Sequence, residues 1–452
     1  MKEFKVLSPT AILGYGFPKE SFMRGMEEKP DLIAVDAGSV DPGPYYLGSG
    51  KSFTDRTGVK RDLVFMLVEG IKAGIPVVIG SAGGSGALSH MEWCRDIVLE
   101  IAKENKLSFK MATITADIDK NVIIEKIKKG DTSPLAGLPE LTEETVKNAA
   151  AVVAQMGVEP FITALKGGAQ VIVAGRAYDP SCFAALPIMK GYDPALAIHM
   201  GKILECAAIA ATPGSGSDAV LGILTKDSFI LKALSPERKF TKLSTSAHSL
   251  YEKSDPFYLP GPGGSLDLHE TQFNERADGT VEVKGTKFIP TPKYQVKLEG
   301  VEKVGYRTIT IAGTRDPIMI GQIEDIIEKV KARICNLLDN PKAGESIYFH
   351  LYGKHGVMNK LEPNKTAVPH ELGIVLEVVA KTQEEANTIL GLTRSTLLHY
   401  GYEGRIATAG NLAFPFSPSD FQGGAVYQFT MYHLMNIENH DLFKITYSDV
   451  RN

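Results

Sequence analysis

Along the first half of the chain, apolar positions follow two alternating patterns. Short, nearly all-apolar or β-branched runs occupy residues 6–13, 32–35, 76–79, 110–114 and 170–174. Between them, residues 60–73 and 91–104 carry apolar side chains at roughly 3.6-residue spacing, which predicts helices. Residues 141–156 open on a Thr142-x-x-Thr145 cap with an acidic first turn, and a third helix is expected there. Strand alternating with helix implies parallel strands joined by crossover helices. Strands without polar alternation imply a sheet covered on both faces. The expected fold class is therefore α/β, an open, mostly parallel, Rossmann-like sheet, over residues 1–215.

Beyond it, residues 181–189 and 194–211 read as two more helices, and 212–217 (TPGSGS) as a loop. Residues 216–300 read as a connecting β-rich segment, with strands at 219–225, 229–231, 266–271, 281–283 and 294–298 and a short helix at 245–251. The last third changes character. Strands at 306–312, 347–351 and 372–379 and helices at 317–335 and 383–399 predict a smaller α+β domain over 301–452.

Composition narrows the function classes. The 452 residues are 44% hydrophobic and 23% charged with a net charge of -4, a globular profile with more than one core. That balance offers no electrostatic case for nucleic acid or an anionic membrane surface. No apolar run is long enough to cross a bilayer, and the start reads as a strand and its loop rather than a signal peptide. The four cysteines, Cys94, Cys182, Cys206 and Cys335, show no CxxC spacing, so neither a disulfide framework nor a zinc site is expected. Cytoplasmic residence fits best.

In an open parallel sheet, ligands bind outside the carboxyl ends of the strands. Four loops follow predicted strands there. Residues 36–50 hold Asp36, Ser39 and Tyr46 among several glycines, with Lys51, Arg56, Lys60 and Arg61 close behind. A turn-rich connector with solvated charges is the plainer alternative. Residues 80–86 (GSAGGSG) contain Ser81, Gly83 and Gly84, and a glycine-rich strand-to-helix turn can present N–H donors to an anion. It is neither a P-loop nor a GxGxxG fingerprint, which disfavours a dinucleotide-dependent oxidoreductase. His90 follows it; a lone histidine is more often structural. Residues 115–119 carry Asp117, a candidate hydroxyl or metal ligand, and Asp119, better read as a helix cap. Residues 175–181 (GRAYDPS) place Arg176 straight off a buried strand, suited to bidentate carboxylate or phosphate recognition. The alternative is an internal Arg176–Asp179 pair that pins the turn. A further small-residue cluster occupies 404–420, with His350, Lys354 and His355 as companions. HExxH, GxSxG and a Cys–His signature are all missing, so no triad is assigned, and a divalent metal has no dedicated ligand set.

Several motifs together resemble one family. They are Leu13–Gly14–Tyr15–Gly16–Phe17, the Ser81–Ala82–Gly83–Gly84 turn, Gly175–Arg176–Ala177–Tyr178–Asp179–Pro180–Ser181, and Leu250–Tyr251–Glu252 with Asp255–Pro256 and Tyr258–Leu259. In order and over roughly residues 8–330, they resemble the acyclic terpene utilisation protein A (AtuA-like) family. Gly261–Pro262–Gly263–Gly264 stands where the family carries an acidic Pro-Asp segment, and the amino-terminal glycine run is shorter. The resemblance implies a role in acyclic terpene or carboxylic-acid breakdown, and an oligomer that includes a small separate subunit. It marks Arg176, Asp179, Ser181, Ser81, Gly83 and Gly84 as substrate-binding positions, to which Ser39 is added from its loop.

The expected function is a lyase, a hydratase/dehydratase or ammonia-lyase, acting on a small carboxylate or its CoA thioester. Such chemistry needs an anion clamp and an acid/base pair. Arg176 with the 80–86 amides is the candidate clamp, and Asp36, Tyr46, His90 and Asp117 are the candidate catalytic groups. The alternative is a non-catalytic subunit that holds an acyl ligand or carboxylate for a separate catalyst.

Overall fold

A computed structural model describes residues 2–251, 253–406 and 408–452. Met1, Glu252 of the Leu250–Tyr251–Glu252 motif and Ala407 of the 404–420 cluster lie outside the described residues. The chain forms two compact units, residues 1–302 with 429–452, and residues 303–428.

The first unit is built on one ten-stranded sheet. Its order is Gln272–Glu275, Val281–Lys284, Phe229–Ala233, Val220–Leu224, Phe4–Ser8, Leu32–Asp36, Val77–Gly80, Val171–Ala174, Phe109–Ile114 and Ile445–Val450. Only the middle matches the expected parallel arrangement: Phe4–Ser8 through Phe109–Ile114 pair in parallel. Both flanks are antiparallel. The sheet is thus mixed rather than mostly parallel. The cause is hairpin connection. Strands such as Val220–Leu224 and Phe229–Ala233, separated by a tight turn, can only pair antiparallel.

One further expectation fails. Residues 141–156 hold only a short helix, Glu143–Asn148, capped by the Thr142 hydroxyl as expected. Ala151–Ala154 then turns into a strand paired antiparallel with Leu298–Val301. Adjacent Val152 and Val153 are β-branched, and a partner strand outweighs helix propensity.

Both faces of the parallel core are covered. Ile33, Val35, Val77, Ile79, Val171 and Val173 join a core with helices Arg56–Ala73 and Leu88–Glu104. The alternate positions face the other way, toward helix Ser181–Met189, which packs on strands Leu32–Asp36 and Val77–Gly80. Strand alternation therefore sends Asp36 and Gly80 to that second face, where a Cβ on Gly80 would lie 3.0 Å from Asp36 Oδ1 and 3.3 Å from Cys182 Sγ. A small three-stranded sheet, Tyr258–Gly261, Gly264–Asp267 and Lys287–Pro290, completes this unit with the strand pairs at Ala151–Ala154 and Thr132–Pro134.

The second unit follows the expected βαββα order. Residues 306–314, Leu372–Ala380 and Ile347–Tyr352 form an antiparallel sheet. Helices Pro317–Leu337 and Gln383–Leu398 supply Ile323, Val330, Ile389 and Leu390 to its core, against Ile374, Leu376 and Val378.

The turn after Gly80 tolerates no side chain at Gly86. Its φ is +67°, and a Cβ there would sit 2.2 Å from the Arg176 backbone nitrogen. Backbone cannot give way as a flexible side chain can. Gly86→Ala is expected to destabilise the first unit by about 2 kcal/mol or more. Denaturant unfolding followed by a probe in that unit checks this; an unchanged midpoint would show that the turn relaxes.

Candidate functional site

Arg176 lies two residues beyond strand Val171–Ala174, and its backbone is held on both sides. Its N–H donates to Gly86 O at 2.9 Å, and its carbonyl accepts from Met156 N at 3.2 Å. That fixes the guanidinium beneath the strand ends, 3% exposed. Its Nε donates to Glu299 Oε2 at 2.7 Å and Nη2 to Glu299 Oε1 at 3.4 Å. Nη1 reaches Asp179 Oδ1 at 2.9 Å, Ala177 O at 2.8 Å and Ser81 Oγ at 3.2 Å. Glu299 is completely buried and also receives Gln155 Nε2 and Lys297 Nζ, both at 3.0 Å. Burial alone would raise the Glu299 carboxyl; the Arg176 and Lys297 charges outweigh it and hold the group below the usual range.

Asp36 ends its strand beside this network and is 4% exposed. Its Oδ1 has no hydrogen-bond partner. Burial, then the Asp179 charge, pushes its carboxyl well above the usual aspartate range, against the pull of Arg176 and a Ser81 hydrogen bond. Folding therefore favours the protonated form of Asp36. Glu205, paired with Lys202 at 2.6 Å, is also raised by burial, and its charge acts on Asp36.

Of the sequence candidates, Asp36, Ser81, Arg176 and Asp179 are brought together. The 80–86 turn is buried throughout. Three of its amides are spent internally: Ser81 N on Gly175 O, Ala82 N on Ala174 O and Gly84 N on Ser81 O. Gly84 gives room to the Phe53 ring, which would lie 2.3 Å from a Cβ. Gly83 packs against His90. His90 is fully buried, and Nε2 bonds to Lys51 O at 3.0 Å. A carbonyl only accepts, so Nε2 carries the proton and Nδ1 the lone pair. Burial lowers the His90 pKa and keeps the ring neutral. Tyr46 stands near it, edge-on to Tyr45 and Phe53. Ser39 closes a local turn with Asp41, Oγ to Oδ2 at 2.7 Å.

Asp117 belongs to a separate place. Its carboxylate accepts from the Leu88 amide at the start of helix Leu88–Glu104, and Glu92 lies close enough to add repulsion. Its side chain keeps access to water, while the protein packed around it pushes the carboxyl up to about 6. Asp119 caps helix Lys120–Lys128 through the Asn121 amide, as expected. In the second unit His350 pairs with Glu377, and Lys354 and His355 both pair with Glu324. Residues 404–406 and 408–416 are irregular apart from the Gly313–Ala413 bridge.

Ser181 and Tyr178 also line a cavity, although the Lys202, Asp179 and Glu205 charges still act on Tyr178. With Gly157–Glu159, helix residues 188–198, the hairpin Tyr258–Asp267, Phe288 and Tyr294, these two residues wall a space of about 250 Å³. Ser181 Oγ donates to Met156 O at 3.4 Å. Among the described residues, no group of three or more His, Cys, Asp or Glu is arranged to hold a metal ion. No helix among them is long and apolar enough to cross a membrane.

Sequence reasoning missed Glu299, Gln155, Lys297 and Glu205. Glu299 sits one residue beyond a predicted strand with apolar Val296 and Leu298, so simple alternation would turn Glu299 outward with Lys297. The local signal was weak; only a demand for a partner to the buried Arg176 pointed there.

Two stability predictions follow from these charges. Glu299→Gln leaves a buried guanidinium short of countercharge and is expected to cost about 3 kcal/mol, with recovery in the paired Arg176→Met/Glu299→Leu chain. Urea unfolding decides it, and a cost under about 1 kcal/mol would remove the pair from its central place. Asp36 is raised on folding, so the native state binds a proton that the unfolded state releases above about pH 4. Its contribution falls as pH rises from there toward its folded pKa. Asp36→Asn is expected to be more stable than the parent at neutral pH, with the difference fading below about pH 4. A constant difference across that range would mean that Asp36 is ionised in the fold.

A model of the family described as "Acyclic terpene utilisation family protein AtuA" matches residues 59–218 and 227–415, most of the chain. No curated protein and no solved structure matches it significantly. The matched span includes the glycine turn, Arg176, Asp179 and Glu299, and the chain belongs to the acyclic terpene utilisation AtuA family.

Proposed function

We propose that this chain is a lyase of carboxylic-acid breakdown, a hydratase/dehydratase or ammonia-lyase, acting on a small carboxylate or its CoA thioester. The observation that carries this reading is Asp36. It is a buried carboxyl with one unpartnered oxygen, its pKa raised by burial and by Asp179, at the carboxyl end of a central parallel strand. Eliminating water or an amine requires a proton delivered to the leaving group and another removed from the neighbouring carbon. A carboxyl kept protonated at neutral pH is suited to the first task.

The second task needs a group that ionises near working pH. Asp117, pushed up to about 6, has that property but stands apart from Asp36, and His90 offers a neutral Nδ1 lone pair. Arg176 acts here by fixing Asp179 and Ser81 and by setting the field at Asp36, since its donors already serve protein oxygens. Cytoplasmic residence and an oligomer with a small separate subunit complete the proposal. A divalent metal, if used, would draw on substrate oxygens as well as these carboxylates.

One observation favours a second reading, a subunit that binds an acyl ligand for another catalyst. The expected anion clamp is filled by Glu299 and Asp179, and the glycine turn is buried. A partly apolar cavity remains for a ligand.

Purified protein, alone and with its small partner, with and without divalent metal, is to be assayed on hydroxy and amino dicarboxylates and on enoyl-CoA esters. Turnover is expected, with Asp36→Asn lowering kcat by roughly 100-fold or more. Absence of turnover under every condition would overturn the lyase reading. Turnover of the complex that survives Asp36→Asn, Asp117→Asn and Tyr46→Phe would establish the binding-subunit reading instead.

A further inference from the structure

We infer that the cavity walled by the hairpin Tyr258–Asp267 takes the acyl part of an uncharged short-chain carbonyl compound, a thioester, ester or ketone, and rejects the free carboxylate. This deepens the proposed function, on which its place in a reaction rests, by choosing between the two substrate forms.

Size sets the first limit. An engineered cavity of about 150 Å³ holds benzene, so about 250 Å³ accepts roughly ten heavy atoms. The walls set the second. Ile188, Pro194, Ile198, Leu259, Leu266 and Phe288 give an apolar lining suited to an aliphatic chain. The hairpin closes over it through Gly261–Pro262–Gly263–Gly264, where Gly261 lies so near Tyr178 that a Cβ would meet its ring at 2.7 Å.

Polar groups choose the ligand's charge. Tyr294 donates to Glu159 at 2.5 Å, and Ser181 donates to Met156 O, so both hydroxyl protons are engaged. The Tyr178 hydroxyl is buried and has no hydrogen-bond partner. Such an orphan is costly unless something completes it. Burial keeps Tyr178 un-ionised, so it offers a proton to a ligand oxygen. A carbonyl oxygen accepts one such bond and carries no charge that must be neutralised. A carboxylate would need a cation or several donors. Among the described residues that line the cavity there is no Lys, Arg or His, the acidic side chain of the lining is Glu159, and Lys202, whose charge acts on Tyr178, is already paired with Glu205. A second anion there would meet the Glu159 charge.

The test compares 2-hexanone with pentanoate, matched in heavy atoms, by ligand-observed NMR titration of the full chain at neutral pH. Saturable 2-hexanone binding is expected, with pentanoate at least tenfold weaker. Tyr178→Phe keeps the ring and is expected to weaken 2-hexanone by about fivefold to tenfold. Leu259→Trp, on the hairpin, is expected to abolish binding by filling the space. Melting curves of both variants establish that they fold. Equal binding of the two probes, binding unaltered in both folded variants, or no binding of either probe would overturn the inference. The outcomes separate it from the lyase reading. Ketone binding through Tyr178 without any turnover leaves the cavity assignment standing and sinks the enzyme. Turnover with KM and kcat unchanged in both variants leaves the enzyme and sinks the cavity assignment.

Discussion

The first unit is organised around a buried ion pair, Arg176 with Glu299. Removing two charges from water costs several kcal/mol for each, and only close geometry with further hydrogen bonds offsets it. Here the pair is two-pronged, and the remaining atoms are satisfied by Gln155, Lys297, Asp179, Ser81 and a backbone carbonyl. Arg176, Glu299, Gln155 and Ser81 come from four different stretches of chain. The pair thus fastens the end of strand Val171–Ala174 and the strand starting at Gln295 to the glycine turn at Ser81. Gly86 belongs to the same constraint, because the Arg176 backbone occupies the place where a side chain would go.

That arrangement has an electrostatic consequence. Arg176 is raised well above its ordinary range by Glu299 and Asp179 despite burial, so it stays charged. Yet its charge is shared among acids. Asp36, Asp179, Glu205 and Glu299 are set against Arg176, Lys202 and Lys297. Glu299 takes the best contacts and ionises. Asp36, raised first by burial and then by Asp179 against the pull of Arg176, favours the protonated form instead. Arg176 and Lys297 lower Glu299 against burial, so the two carboxyl groups are driven apart in pKa. Catalysis by proton transfer uses such separation, although the same separation also arises in structural networks.

The parallel strands were legible because their apolar runs are short, continuous and separated by amphipathic helices. Leu32–Asp36, Val77–Gly80 and Phe109–Ile114 lie within a residue or two of their expected bounds. The flanking strands were recognisable as strands but not as members of the same sheet, since pairing partners far apart in sequence leave no local pattern. Residues 149–154 misled for a related reason: the apolar run satisfies a helix or a strand, and the partner at 298–301 decides. In the candidate site, Asp36, Ser81, Arg176 and Asp179 were legible from their position after strands. Glu299 was not. An acid near the end of a strand looks solvated until the cation that buries it is known.

The segment Arg176–Ser181 shows how one short loop can serve two purposes. Arg176 and Asp179 face the charged network, while Tyr178 and Ser181 face the cavity. Its backbone is tied from both sides, at Gly86 and at Met156, so neither set can move without the other. A ligand in the cavity therefore need not touch Arg176 to feel it. Completing the Tyr178 hydroxyl would stiffen the loop that also positions Asp179, and Asp179 is the charge that, after burial, does most to hold the proton on Asp36.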